Sequence, residues 1–412
     1  MTTHAPEAPL EARLLLDRAV MDDPYAFFAR LRNEAPVWLV PGSSIVVVSS
    51  FDAVCEATNR TSEFSSTMRG VVYRDDNDQP QVMPYGEDFG ADVLAIADPP
   101  VHSRHRSTVF PELVARRMTG LRSEVEAIAD EFVDAAVESG RVEAMAAIAN
   151  AIPIRVVSRL IGWEDEDPDR LLAAAFDATG IVGATHTRVE IEQLTIRSAE
   201  VIDWIYAEIQ AAVADGADGI LGAMATAISQ GQLDELEALA IMATLLSAGG
   251  ESTTSLLGNA MHILATDHDL QDRLRREPDL ITPFIEEVLR VESPFRYHLR
   301  HTYTDVELHG VTIPAGSTVL LLWAAANHDP AEYDRADEIV LDRPAARHHL
   351  AFGRGIHLCV GAPLARLEAD VVLRRLLERS ERLDLDPAQS PVREDSLIVR
   401  RFARLPLLIT PR

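Results

Sequence analysis

The sequence predicts a mainly α-helical protein with a small β-sheet region. Alanine- and leucine-rich stretches with charged residues at helical spacing fill most of the 412 residues, whereas runs with strand character are few. The sequence shows no internal repeat and no low-complexity linker. We therefore expect residues 1–412 to form a single domain.

The predicted helices are separated by residues that favour turns. They cover residues 10–34, 112–139, 142–161, 188–214, 234–267, 269–276, 280–291 and 363–380. The strand-like runs cover residues 37–40 and 45–49, around a Pro41-Gly42-Ser43 turn typical of a hairpin, and residues 297–302, 317–323 and 397–410. The stretch 69–100 is rich in Pro, Asp and Gly, and its length predicts a functional loop.

The stretch 234–267 is the most unusual of the predicted helices. Asp234 is the expected N-cap, and residues 238–250 carry no charge, so this part should be buried on all sides. It leads into the run Ala248-Gly249-Gly250-Glu251-Ser252-Thr253-Thr254, and two glycines cost a helix about 2 kcal/mol relative to alanine. One interpretation is close helix packing at the glycines, with Glu251 bound by a buried arginine. The other is that the glycines make room for a ligand, while Glu251 and a hydroxyl line a wet pocket.

The composition is strongly acidic. All 38 basic residues are arginines, and 65 acidic residues give a formal net charge of −27. Such a charge argues against nucleic acid and anionic membranes as partners, because phosphate contacts require a basic surface. The N-terminus lacks the features of a signal peptide, and no apolar run is long enough to span a membrane. We expect a soluble, cytoplasmic monomer.

The loop 350–368, with the sequence LAFGRGIHLCVGAPLARLE, carries the strongest local signal. Gly353, Gly355 and Gly361 indicate tight backbone turns, and Pro363 suits the first turn of a helix, so Cys359 should lie just before a helix N-terminus. A free thiol has a pKa of about 8.5, so ionising it at neutral pH requires about 2 kcal/mol, whereas a helix dipole supplies about 0.3–1 kcal/mol. A bound metal would deprotonate the thiol outright.

Other interpretations of the cysteines are weaker. A zinc site would need more ligands than His357 and Cys359, and no second cysteine lies nearby. A dinucleotide-binding fingerprint fails because Leu358 stands where its third glycine should be. Cys55 fits an inert, buried small hydrophobe.

At these residues the sequence resembles the cytochrome P450 monooxygenases of the soluble bacterial type. The run Phe352-Gly353-x-Gly355-x-His357-x-Cys359-x-Gly361 is similar to the haem-binding loop of that family. Four further motifs match in family order: His102-Ser103-Arg104-His105-Arg106, the AGGEST run 248–253, Glu287-x-x-Arg290, and Arg343. The resemblance covers nearly the whole chain. It implies a P450-like fold with haem between a long central helix and the cysteine loop, and a single haem-binding domain over 1–412 without a fused reductase domain.

The resemblance assigns roles to individual residues. Cys359 would be the metal ligand, a proximal thiolate on the iron of haem b. The other cofactor-binding residues would be Phe352, Gly353 and Gly361 of the loop, and His102, Arg106, Arg300 and His357 at the two propionates. Glu287, Arg290 and Arg343 would form a structural ion network. Ala248, Gly249, Phe295 and Arg296 would face the substrate.

The oxygen-activation motif departs from the family pattern at Ser252, where most members have threonine. Oxygen activation needs a hydroxyl and a carboxylate that deliver protons, which makes Glu251, Ser252 and Thr253 the candidate catalytic residues. Serine lacks the methyl group that restrains the rotamer of threonine. We therefore predict that oxygen activation is retained with leakier coupling, and that Ser252 or Thr253 provides the hydroxyl.

Arg296 is a second departure, in a strand that usually faces substrate with apolar or amide side chains. It would either anchor a carboxylate or another polar end of the substrate, or pair with a propionate or a backbone carbonyl. We favour the second interpretation.

The resemblance implies a haem-thiolate monooxygenase that inserts one atom of dioxygen into an apolar small molecule, by hydroxylation or epoxidation. Electrons would come from a ferredoxin and an NAD(P)H-dependent ferredoxin reductase. An acidic ferredoxin is expected to dock on a basic patch made of Arg354, Arg366, Arg374, Arg375, Arg116 and Arg117. Two alternatives are a peroxide-driven or oxidative-coupling haem-thiolate enzyme and a non-catalytic haem-binding sensor.

Overall fold

The helical character predicted from the sequence is confirmed. The protein's computed structural model describes residues 9–84, 92–113, 115–163, 166–344 and 346–412, without the side chains of 112–119, and it is 56% helical. The helices are α1 (Arg18–Asp22), α2 (Tyr25–Glu34), α3 (Phe51–Asn59), α4 (Val101–Leu113), α5 (Ala115–Ser139), α6 (Ala151–Ile161), α7 (Pro168–Ile181), α8 (Arg188–Asp215), α9 (Gly219–Ser229), α10 (Glu235–Thr266), α11 (His268–Arg276), α12 (Ile281–Val291), α13 (Trp323–Ala326) and α14 (Ala362–Arg379).

The strands form small sheets at the edge of this helical body. They are β1 (Val37–Leu39), β2 (Ile45–Val48), β3 (Gly70–Arg74), β4 (Pro80–Pro84), β5 (Arg141–Glu143), β6 (His298–His301), β7 (Val306–Leu308), β8 (Val311–Ile313), β9 (Thr318–Leu321), β10 (Ser380–Leu385), β11 (Val392–Arg393), β12 (Phe402–Arg404) and β13 (Pro406–Pro411). The largest sheet has the order β1-β2-β9-β6, in which only β2 and β9 are parallel. A second sheet has the order β10-β13-β5, and the pairs β3-β4, β7-β8 and β11-β12 are antiparallel hairpins or ribbons.

Helix α10 runs through the centre of the molecule and begins as the sequence predicts. Asp234 Oδ1 accepts a hydrogen bond from the amide of Glu237 at 2.7 Å, and the Glu237 side chain accepts one from the amide of Asp234 at 3.1 Å. This capping box satisfies two amides that the helix itself leaves free. The glycines allow close packing: a Cβ on Gly249 would lie 2.8 Å from Val157 Cγ2 of α6, and one on Gly250 would lie 3.1 Å from the Cβ of Ala175 in α7.

Several elements lie outside the predicted helices and strands, among them α3, α4, α7, α9, β7, β8 and β10. Two cases are informative. Helix α4 was not among the predicted helices, because its run VHSRHRSTVF offers polar side chains where an amphipathic helix has apolar ones. The predicted loop 69–100 contains the hairpin β3-β4, in which Gly70 pairs with Pro84 and Arg74 with Pro80. Residues 85–91 of that stretch lie outside the described residues.

No single helix among the described residues is both long and apolar enough to cross a membrane. Helices α8 and α9 pass such a test only as a pair, and the chain bends by 69° between them.

Candidate active site

A cavity of about 220 Å³ lies between α10 and the loop that precedes α14. Helix α10 contributes Thr244, Leu245, Ala248, Gly249, Ser252, Thr253 and Leu256 to its wall. The opposite wall contains Phe352, Gly353, His357, Cys359 and Gly361, together with Leu364, Ala365 and Glu368 of α14. Residues of α4, α6 and β6 close the sides. The cavity thus brings together residues from three of the five motifs that the sequence analysis singled out: the cysteine loop, the run His102–Arg106 and the AGGEST run 248–253.

The cysteine loop depends on two left-handed backbone positions. Gly353 has a φ of 68° and Gly355 a φ of 70°, values that other residues adopt only with strain. The amide of Cys359 donates to the carbonyl of Phe352 at 2.9 Å, which closes the loop. These contacts fix the position of Cys359 relative to the cavity.

The sulfur of Cys359 lies at the start of α14. The accessible surface of this residue belongs to the cavity wall. Burial raises the pKa of the Cys359 thiol, while hydrogen bonds from the amides of Gly361 and Ala362 lower it. The amides therefore stabilise a thiolate, but they do not overcome burial, and ionisation requires the charge of a metal.

Imidazole rings and guanidinium groups gather at one end of the cavity. His102 of α4 is buried, and its ring centre lies 4.3 Å from that of His357. Nε2 of His357 lies 2.8 Å from the hydroxyl of Ser66, whereas its Nδ1 is buried without a hydrogen-bond partner among the described residues. Arg106 and Arg300 line the same part of the cavity.

Two arginines without a carboxylate ion pair among the described residues lie at this end of the cavity. Within the described residues, neither Arg106 nor Arg300 forms an ion pair with a carboxylate; Arg106 donates to the carbonyl of Leu358 at 2.8 Å, and Arg300 to that of Leu299 at 2.7 Å. Burial lowers the pKa of Arg300 to about 10. Burial, and then the charge of Arg300, lowers the pKa of His357 to about 3. Unpaired cations and an orphaned ring nitrogen fit the two propionates of haem.

The hydroxyls of the α10 motif face different ways. Ser252 is half-buried in the cavity wall, and its Oγ donates to the carbonyl of Ala248 at 2.7 Å. Thr253 also lines the cavity. Thr254 does not, because its hydroxyl donates to the carbonyl of Ala149 at 2.8 Å in the contact between α10 and the turn before α6. Two hydroxyls of the motif are thus available to the cavity.

Glu251 lies behind this wall and not among the residues that line the cavity. It is buried, with its Oε1 3.0 Å from Nε of Arg401, and its Oε2 accepts a hydrogen bond from the Thr179 hydroxyl. Arg401 in turn pairs with Glu394 at 2.8 Å. Burial raises the pKa of Glu251, and the charge of Arg401 opposes this rise. The interpretation with close glycine packing and a buried arginine therefore describes Gly250 and Glu251, and the ligand-pocket interpretation describes Ser252 and Thr253. Gly249 fits both, because it packs closely against Val157 and also lines the cavity.

Phe295 and Arg296, the two residues before β6 that were predicted to face the substrate, have different environments in the structure. Phe295 lines the cavity, but Arg296 does not. The guanidinium of Arg296 is buried and donates to the carbonyl of Met21 at 2.9 Å. Burial lowers its pKa to about 9. This position does not support a role as substrate anchor, and it agrees with the alternative of a backbone-carbonyl partner.

Glu287, Arg290 and Arg343 meet in a buried ion network below the cavity. Arg290 binds the Glu287 carboxylate through two hydrogen bonds of 2.8 and 2.9 Å, and Arg343 Nε lies 3.0 Å from Oε1 of Glu287. The amide of Val340 donates to Glu287 Oε2 at 2.9 Å. Hydrogen bonds and charges of the arginines outweigh the effect of burial and lower the pKa of Glu287. The network ties α12 to the segment that precedes the cysteine loop.

Sequence reasoning gave no role to His298, Trp323 and Glu368, which also line the cavity. His298 is half-buried in β6, and its Nδ1 accepts a hydrogen bond from the indole of Trp323 at 2.7 Å. Glu368 of α14 is 2% exposed, its Oε2 has no hydrogen-bond partner among the described residues, and burial raises its pKa well above the usual range. An acid one helical turn after Leu364, on the apolar face of α14, was the available signal for Glu368.

The structure corrects the expected basic patch, because carboxylates neutralise three of its arginines. Arg366 binds Glu286 at 2.7 and 2.9 Å, Arg374 binds Asp370 at 2.8 Å, and Arg375 binds Asp130 at 2.9 Å. Arg354 contacts the sulfur of Cys55 at 3.5 Å. The side chains of Arg116 and Arg117 lie outside the described residues.

Comparisons with known proteins agree with this site. Residues 188–407 match the model of the family described as "Cytochrome P450". Cytochrome P450 144 of Mycobacterium tuberculosis is 38% identical over 392 residues, covering 94% of this chain and 89% of the relative. The beta-dihydromenaquinone-9 omega-hydroxylase of Mycobacterium bovis is 29% identical, covering 96% of this chain and 78% of the relative. The crystal structure of CYP109E1 from Bacillus megaterium in complex with testosterone superimposes with a TM-score of 0.85 at 26% identity, covering 95% of this chain and 99% of that one.

The chain belongs to the cytochrome P450 family. It is an oxidoreductase of the monooxygenase class, and its cofactor is iron protoporphyrin IX haem. The described residues contain no separate cluster of three or more His, Cys, Asp or Glu side chains that could hold another metal ion.

Proposed function

We propose that the enzyme inserts one atom of dioxygen into an apolar small molecule, by hydroxylation or epoxidation. The observation that carries this proposal is the apolar wall between α10 and the side elements, formed by Leu94, Val157, Leu160, Ile220, Leu245 and Phe295. Burying apolar surface contributes about 25 cal/mol per Å², so such a wall selects apolar ligands. The testosterone complex of the Bacillus megaterium neighbour supports a substrate of this kind.

The chain's own residues supply the cofactor contacts and the protons. When bound, haem supplies the oxygen-activation chemistry, and Cys359 holds its iron while His102, Arg106, Arg300 and His357 hold its propionates. Phe352, Gly353 and Gly361 shape the loop around the sulfur, and Ala248 and Gly249 border the substrate. Each of these roles is supported by the position of the residue in the cavity wall.

Ser252 is the proposed relay hydroxyl, with Thr253 as the second hydroxyl and Glu251 as the carboxyl behind them. The hydrogen bond to the Ala248 carbonyl holds the Ser252 side chain in one rotamer and leaves its oxygen lone pairs free to accept a hydrogen bond. To pass a proton into the cavity, the Ser252 hydroxyl turns from Ala248 towards the bound molecule. Burial raises the pKa of Glu251 while the charge of Arg401 lowers it, so this carboxylate would take up a proton more readily once it leaves Arg401. The relay requires Glu251 to exchange its contact with Arg401 for one with a hydroxyl or water.

Product yield per NADH tests this assignment. Ser252→Ala should lower the yield at least about tenfold, since a positioned proton donor contributes roughly 10²–10⁴-fold to such steps. Ser229→Ala in α9 is a matched control, because Ser229 makes the same kind of hydrogen bond, to the carbonyl of Ala225 at 2.9 Å, outside the cavity. If Ser252→Ala left the yield unchanged and Thr253→Val lowered it, Thr253 would be the relay. Wild-type turnover with hydrogen peroxide as fast as with NADH would favour the peroxide-driven alternative.

The proposed electron source is a ferredoxin with its NAD(P)H-dependent reductase. The cysteine loop exposes the apolar side chain of Ile356, which is 39% accessible, and Phe110 of α4 is 44% accessible. This surface lies next to the chain segment that carries Cys359, so a docked iron–sulfur protein would have a short path to the thiolate. We favour docking through apolar contacts, because carboxylates of this chain already neutralise Arg366, Arg374 and Arg375.

A further inference from the structure

His298 is a half-buried imidazole whose tautomer is fixed by its neighbour. Trp323 Nε1 lies 2.7 Å from His298 Nδ1. Because an indole N–H only donates, Nδ1 must be the acceptor, and the hydrogen of the neutral ring then resides on Nε2. Burial, and then the charge of Arg300, lowers the pKa of His298 to about 4, so the ring is neutral at physiological pH.

The Nε2–H donor of this ring has no protein acceptor. No described residue forms a hydrogen bond with His298 Nε2. The ring is held in place by Phe295, whose ring centre lies 5.7 Å away, and by Trp323 at 6.0 Å. All three side chains line the cavity. The position of the ring is therefore fixed, and Nδ1 is occupied by the hydrogen bond from Trp323. Nε2 remains available to a molecule bound in the cavity.

We propose that Nε2–H of His298 donates a hydrogen bond to an acceptor oxygen of a molecule in the cavity. Two sources present the same chemistry: a carbonyl or hydroxyl oxygen of the substrate, and a carboxylate oxygen of haem. Arg300 lies two residues along the strand, on the same face as His298, and lines the cavity at the propionate end. Phe295 precedes it on the apolar side. His298 therefore stands where the charged and the apolar parts of the cavity meet.

A hydrogen bond to the substrate rests on the proposed function, whereas a hydrogen bond to haem rests only on the cofactor. Binding assays distinguish these two acceptors, because the assays do not require turnover. His298→Phe keeps a flat ring and removes the donor, and His298→Gln restores a donor. Trp323→Phe keeps His298 but releases its tautomer.

The first measurement is the spin-state titration of holoenzyme with 2-dodecanone and with dodecane. If the substrate accepts the hydrogen bond, His298→Phe weakens binding of the ketone about fivefold and leaves binding of the alkane unchanged, since a neutral hydrogen bond contributes about 1 kcal/mol.

The second measurement is haem transfer to apomyoglobin, together with the propionate bending bands of the resonance Raman spectrum. If haem is the source, His298→Phe speeds transfer about fivefold and shifts those bands.

Either of these two results supports Nε2–H of His298 as the donor, provided that His298→Gln restores the wild-type value and Trp323→Phe loses part of it. Equal losses for both probes with unchanged haem transfer, or no rescue by His298→Gln, overturn it. If wild type binds neither probe, the haem measurements decide alone: unchanged transfer and unchanged bands in His298→Phe overturn the proposal. A wild-type enzyme that binds ketone through His298 but forms no product refutes the proposed function and leaves this inference intact.

Discussion

Nε of Arg401 lies 3.0 Å from Oε1 of Glu251, and both side chains are buried. This ion pair joins the middle of α10 to the ribbon β11-β12 near the C-terminus, 150 residues away in sequence. It holds the carboxyl of the α10 motif behind the cavity wall. The same contact therefore bears on stability and, in the proposed relay, on proton delivery.

Removing one partner of this pair should destabilise the fold. Arg401→Met leaves the carboxyl of Glu251 buried without its cation, and breaking such a pair costs about 3–5 kcal/mol. The double variant Glu251→Gln/Arg401→Met should recover most of that loss, because no buried charge remains unpaired. Urea unfolding of the wild type, the two single variants and the double variant, all with haem bound, gives the coupling free energy between the two side chains. Strictly additive effects of the two substitutions would contradict the pairing.

Arg366 should matter for acid stability and not for ferredoxin docking. Burial raises the pKa of Glu286, but hydrogen bonds from His349 and Arg366 outweigh it and bring the pKa to about 2. The contribution of Glu286 to stability is therefore fully present above its unfolded pKa of about 4.3, and it is lost as the pH falls towards about 2. Arg366→Gln removes two hydrogen bonds and should cost about 2 kcal/mol near neutrality.

Thermal unfolding across pH measures this difference. It should be largest near pH 7 and shrink as the pH falls from about 4 towards about 2, where the Glu286 carboxyl becomes protonated in both proteins. Arg374→Gln in the same helix is the control, since Arg374 forms a half-exposed i,i+4 pair with Asp370 and should change stability by less than about 0.5 kcal/mol. An Arg366→Gln deficit that does not vary with pH would rule out Glu286 as the cause.

Glu368 should make the wild-type protein less stable as the pH rises. Burial raises the pKa of its carboxyl well above the usual range, so the folded state binds this proton more tightly than the unfolded state does. The free energy of unfolding then falls as pH rises above about 4.3. Glu368→Gln cannot titrate, so its stability relative to wild type should increase between about pH 5 and pH 7. Urea unfolding of both holoproteins at the two pH values tests this, and a difference that stays constant would show that Glu368 is ionised in the folded protein.

A carboxylate on the cysteine loop should slow electron transfer from an acidic ferredoxin. Ile356→Glu places a negative charge on the proposed docking surface. Repulsion of about 1 kcal/mol between this carboxylate and the ferredoxin would lower the rate roughly fivefold. Added salt should restore part of the rate by screening the repulsion. Val189→Glu in α8 is the control, because Val189 is 61% exposed and lies outside the cavity wall. Stopped-flow reduction at two salt concentrations measures the effect; equal rates for the two variants would exclude docking at Ile356.

The sequence was most informative where one contiguous run carries the chemistry. The glycine spacing around Cys359, the N-cap at Asp234 and the i,i+3 spacing of Glu287 and Arg290 are local, so their structures could be expected from sequence. The partners Arg401 for Glu251 and Glu286 for Arg366 could not, because 150 and 80 residues separate them in the chain.

Polarity also misled the sequence-based prediction in places. Helix α4 presents His102 and Arg106 to the cavity where a helix usually presents apolar side chains, so its pattern lacks the helical period. The arginines around the cysteine loop suggested a basic docking patch, but the ion pairs of Arg366, Arg374 and Arg375 depend on side-chain positions that the sequence does not reveal. The tautomer of His298 depends on Trp323, 25 residues further on.

Thiolate ligation of haem by Cys359 is the central claim, and the spectrum of the reduced, carbon monoxide-bound protein tests it most directly. The wild type should show the long-wavelength Soret band that thiolate ligation gives to this complex, and Cys359→Ser should lose it. The other cysteine is the matched control, so Cys55→Ser should keep the band. A Cys359→Ser protein that retains haem with an unchanged band would contradict the account.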